Sequence, residues 1–129
     1  HGLRRCEGTR AEALPAPERL RWAITALARR ALAGPGLAYA FIAEPVDPEV
    51  EAERIRCRRL FGDVFHRIVA DGVATGSFPA QDTRVTAACI VGAFTEALVG
   101  PTAPSRDAVG DEDALVASIC QVCLRAAGG

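Results

Sequence analysis

Two closely spaced prolines divide the chain's most apolar segment from its most charged one. In FIAEPVDPEVEAERIR, residues 41–56, Pro45 and Pro48 stand between LAYAFIA, which carries no charge, and a run with Glu49, Glu51, Glu53, Arg54, Arg56, Arg58 and Arg59. A residue preceding proline avoids the helical region, so a helix over 37–43 must stop at this corner. Asp47 and Pro48 then start another helix. The carboxylate caps free N–H groups, proline fits the first helical position, and Glu49 and Glu51 suit the positive end of the dipole. The corner therefore turns a short buried helix into a long one, roughly 28 residues up to the terminating glycine Gly76, that packs against it. Cys57, Leu60, Phe61, Val64, Phe65, Ile68 and Val69 form the apolar face of that long helix.

The remaining segments also read as helices. Leu20, Ile24, Leu27 and Ala31 repeat at helical spacing after Pro17 and Glu18, and GPG at 34–36 ends the run. Asp82 caps a helix reaching about Val99 whose apolar residues occupy both sides. Val85, Cys89, Gly92 and Val99 mark one face and Ile90, Val91, Phe94 and Leu98 the other, so something beyond the chain's own core is expected to cover one of them. Asp111 caps a last helix bearing Leu115, Ile119, Val122, Cys123 and Ala126. No strand pattern or repeat is present. The expectation is an all-α, antiparallel domain of about five helices over residues 18–127, preceded by a linker or helix remnant over residues 1–17.

Composition excludes several classes of function. The 129 residues suffice for one domain; half are apolar, and Lys, Asn and Met are absent. A net charge of −1 gives no overall attraction to nucleic acid or anionic membrane. The five cysteines are odd in number and scattered, which points to buried thiols in a reducing cytoplasm. No stretch of 18 uninterrupted apolar residues and no signal peptide is found, and a start at His1 rather than Met suggests a processed product, an engineered piece or a fragment with its natural N-terminus missing.

Enzyme chemistry finds no support in the motifs. There is no glycine-rich phosphate loop and no nucleophile elbow, and the two histidines are His1 and His66, the latter on the side of the long helix shared with Arg59 and Asp63. Cys120 and Cys123 form a C-x-x-C, but deep inside a helix, without the helix N-terminus a redox pair uses or the second pair zinc needs. Core packing is the plainer reading, and no metal or cofactor is expected. Taking Phe61 as zero at 100° per residue, Arg54 falls at about 20° and Arg58 at about 60°, while Arg56 and Arg59 point away. Arg54 and Arg58 thus border the apolar stripe, either reaching water and pairing with Glu44 or Glu51, or edging a cavity. Trp22 lies off its helix's main stripe and packs on residues 1–17, on a segment outside the chain, or against that cavity.

The order of elements resembles a known family. ARRALAGPGLAYAFIAEPVDPEVEAERIRCRRLF, then VADGVATGSFPAQD, then TAACIVGAFTEALVGP and a final amphipathic helix look like the C-terminal regulatory domain of TetR-family bacterial transcriptional repressors. The resemblance covers about residues 18–127. It implies a domain that binds a small effector between its helices and dimerises by pairing its last two long helices into a four-helix bundle. The family's helix-turn-helix has no counterpart in residues 1–17, so DNA binding would fall to an N-terminal domain outside this chain. With the short helix packed across the long one, Tyr39, Phe41, Cys57, Phe61, Phe65 and Ile68 would surround an apolar space near Trp22, with Arg54 or Arg58 at its edge. That arrangement suits a mostly hydrophobic effector with one anionic or polar group. Cys89, Gly92, Ala93, Ile119 and Cys123 would contribute to a homodimer interface built from helices 82–99 and 111–126. The competing reading is a stand-alone helical self-association module without ligand.

Overall fold

A computed structural model of the chain describes residues 14–104 and 110–129. Five helices follow one another: α1 (Ala16–Ala33), α2 (Pro35–Ile42), α3 (Pro48–Thr75), α4 (Thr83–Thr102) and α5 (Glu112–Ala127). The described residues contain no strand. Residues 1–13 of the expected linker, Cys6 among them, lie outside the described residues.

α3, α4 and α5 each start where a carboxylate caps them. Asp47 Oδ1 accepts from the Val50 N–H at 3.0 Å, Asp82 Oδ1 from Arg84 and Val85 at 3.1 Å each, and Asp111 Oδ1 from Ala114 at 3.0 Å. These bonds satisfy donors that a helix N-terminus otherwise leaves open. Gly76 ends α3 and Gly128 ends α5 with φ of 84° and 90°, a left-handed conformation that glycine adopts without steric cost. α4 runs one turn past Val99, through Gly100 and Pro101, to Thr102. Proline is tolerated so close to the end, and the buried Thr102 hydroxyl donates to the Leu98 carbonyl at 2.6 Å.

The core forms where α1, the C-terminal half of α3, α4 and α5 meet. Leu20, Ile24 and Ala28 recur every fourth residue on α1 and are fully enclosed with Phe65, Ile68 and Val69 of α3, Ile90, Phe94 and Leu98 of α4, and Val116, Ile119 and Cys123 of α5. Burying one such large side chain contributes roughly 1.5–3 kcal/mol. The apolar face of α3 is narrower than its periodicity suggests, since Leu60 and Val64 are exposed. The physical reason is the placement of α2, which packs on α4 and α1 and leaves this side of α3 uncovered.

The short helix also packs differently from the expectation. α2 lies against α4 and α1 instead of crossing α3. Its tie to α3 is a set of hydrogen bonds: Arg54 Nη2 donates to the carbonyls of Ala40 at 3.0 Å and Glu44 at 2.6 Å, and Arg58 Nη2 to that of Ile42 at 3.3 Å. Two cations therefore sit at the negative end of α2 and satisfy carbonyls that its C-terminus leaves unpaired.

Candidate functional site

The aromatic residues expected around an effector are largely core. Phe65 is buried and tilted against Phe94, with ring centroids 5.7 Å apart, and Phe61 meets the same ring edge-on at 6.2 Å. Ile68 is buried beside them. The rings of Phe61, Phe65 and Phe94 contribute packing energy to one another. Tyr39 and Cys57 are half-buried, Phe41 is 40 % exposed and Trp22 is 46 % exposed. Arg54 is not a free clamp, because its guanidinium is occupied by the α2 carbonyls and by Glu51 at 3.1 Å.

Of that set, only Arg58 lines the groove of about 560 Å³ that runs between α3 and α4. Ile55, Arg58, Arg59, Gly62 and Asp63 form one wall, and Arg84, Ala87, Ala88, Val91, Gly92 and Thr95 the other. Arg84 is held by Asp63 at 2.8 Å. Arg59 has no hydrogen-bond or ion-pair partner among the described residues. Three guanidiniums thus surround an apolar floor and face one carboxylate, an arrangement that can take an anionic group beside an apolar one.

A second, smaller groove of about 240 Å³ runs between α4 and α5, lined by Ala93, Ala97, Leu115, Ser118, Ile119 and Val122. Val85 and Val122 are more than half exposed, and Cys89 and Gly92 are exposed on the same helix pair. Cys123, expected at an interface, is fully buried and leaves no surface for a partner; Ile119 is 5 % exposed and offers only its edge. Cys120 is buried beside Cys123, its Sγ 3.2 Å from the Thr25 hydroxyl. Burial and the neighbouring Cys120 push the Cys123 thiol up to about 11, so the pair behaves as packing rather than as a nucleophile. Among the described residues no group of His, Cys, Asp and Glu could hold a metal ion.

Residues 13–98 match the family model described as Tetracyclin repressor-like, C-terminal domain. The chain belongs to this family. No curated protein and no solved structure matches it.

The TetR-like match spans α1 to α3 and most of α4, so the α3–α4 groove lies within it, whereas α5 lies beyond. Sequence reasoning missed most residues of that groove. Arg59 and Asp63 read as lying away from the apolar stripe of α3, and the structure turns that side toward α4. One signal was available: Ile55, Arg59 and Gly62 recur at helical spacing on α3, as do Arg84, Ala88, Val91 and Thr95 on α4.

Proposed function

We propose that this TetR-like domain is the effector-binding and dimerisation part of a cytoplasmic transcriptional regulator. In this reading it pairs with a second copy through α4 and α5, and a small, mostly apolar effector alters the pairing geometry. The pair would in turn set the spacing of helix-turn-helix domains supplied elsewhere in the protein. The observation that carries the reading is the mismatch on α4. That helix is long and apolar enough to cross a membrane, yet only 33 % of its apolar window is buried. Small exposed residues, Cys89, Ala97 and Gly100, fall together on one side of it beside Glu96 and let another helix approach closely. An isologous two-fold pairing is the commonest way to cover such a face.

The solid packing of Phe61 and Phe65 on Phe94 favours a second reading, self-association without an effector. Light scattering and a thermal-shift screen of neutral and charged apolar compounds separate the two. A dimer stabilised by at least one compound class supports the first reading, a dimer indifferent to all of them supports the second, and a monomer at tens of micromolar excludes both.

A further inference from the structure

The α3–α4 groove contains two glycines that the packing of this chain does not require. Gly62 and Gly92 stand in the interior of their helices and face the groove from opposite sides. A β-carbon added at either would meet nothing within 4 Å, and neither has a positive φ. Glycine at such a position costs roughly 1 kcal/mol relative to alanine. The Phe78 ring explains Gly72, whereas no contact within this chain explains Gly62 or Gly92, whose effect is to keep the space above them open.

Charge distinguishes this opening from an ordinary crevice. The chain as a whole is slightly acidic, yet Arg58, Arg59 and Arg84 gather at the groove against Asp63 alone. Asp63 is occupied by Arg84, Arg58 makes one long bond to a carbonyl, and Arg59 has no partner among the described residues. The same groove is lined by the largely buried Val91 and Ala87 and by the exposed Ile55. A planar guanidinium fork matches a carboxylate with two parallel hydrogen bonds, and a space of a few hundred Å³ suits a drug-sized ligand.

The geometry points to this groove as the seat of an apolar carboxylate, with its head held by Arg58 and Arg59 and its body lying over Val91 between Gly62 and Gly92. The assignment rests on the effector reading and gives it a place and a chemical class. Arg59 supplies the unshared charge. Arg58 links the ligand to α2, because the same guanidinium reaches the Ile42 carbonyl.

Isothermal titration calorimetry of the whole chain with decanoate, below its micellar concentration, and with uncharged decanol tests the assignment. Decanoate is expected to bind at least tenfold more tightly than decanol. Arg59→Gln should remove most of that preference without changing decanol binding. Gly62→Leu, which the open space accommodates, should weaken both ligands at least tenfold while leaving the association state unchanged. Decanoate binding that survives both substitutions would overturn the groove assignment and leave the effector reading standing. Loss of the dimer in Gly62→Leu would show that the groove seats the partner subunit and would overturn the assignment too. No binding of decanoate to the unaltered chain would end the carboxylate proposal, and the effector reading would then be decided by neutral compounds in the thermal-shift screen.

Discussion

The ring of Phe78 occupies the space in which a β-carbon on Gly72 would stand. The Phe78 N–H donates to the Gly72 carbonyl at 3.0 Å, so the turn after α3 folds back on its last full turn and buries the ring to 2 % exposure. Gln81, three residues on, donates to the Ala127 carbonyl at 2.8 Å and ties the same turn to the end of α5. Gly72→Ala should therefore displace the ring and cost about 1–3 kcal/mol, the range for overpacking a filled site. Because the two residues share one space, Gly72→Ala combined with Phe78→Ala should cost less than the sum of the single changes in urea denaturation. Strict additivity would contradict the contact.

Arg54 is expected to hold α2 in place. Hydrogen bonds to charged groups contribute about 1.5–3 kcal/mol each, and this guanidinium makes two to α2 and its C-terminal turn while its residue is 8 % exposed. Arg54→Met keeps much of the side-chain volume and removes the bonds. Amide hydrogen exchange should accelerate over residues 35–44 and remain unchanged in α5. Uniform acceleration across all helices would place the role of Arg54 elsewhere.

If α4 and α5 pair across a two-fold axis, a charge in their shared groove should separate the copies. Ala97→Arg and Val122→Asp both alter exposed or groove-lining positions without touching the buried core. Each should give a folded monomer by light scattering, with helical content retained by circular dichroism. A dimer that persists in both variants would move the interface to another face.

The thiols should differ in reactivity. Cys89 is exposed and Cys57 half-buried, whereas Cys120 and Cys123 are buried. At pH 8 a water-soluble disulfide reagent should, among these four, label Cys89 first and Cys123 only on unfolding. Because the folded Cys123 thiol is raised from 9.0 to about 11, its contribution to stability is complete below pH 9 and is lost as pH rises toward 11. Cys123→Ala should flatten that part of the stability–pH curve, and an unchanged slope would show that other groups set it.

The local chain directions were legible in the sequence because their causes are local. Asp47, Asp82 and Asp111 begin helices by capping N–H groups within three residues of themselves, and Pro45, Gly76 and the glycines around Pro35 end them by restricting or releasing a single φ. The apolar spacing of Leu20, Ile24 and Phe65 likewise identified a core, since period alone fixes which side of a helix is apolar. Which surface each helix turns to which neighbour was not legible. Phe61 and Phe65 share one stripe in any helical projection, and only the position of Phe94 decides that both close on its ring. Arg59 and Asp63 lie off that stripe and point away from the core in projection until α4 is laid beside them, where they become the wall of a groove. Periodicity is a property of one helix, whereas a site between helices depends on their relative rotation, which long-range packing sets.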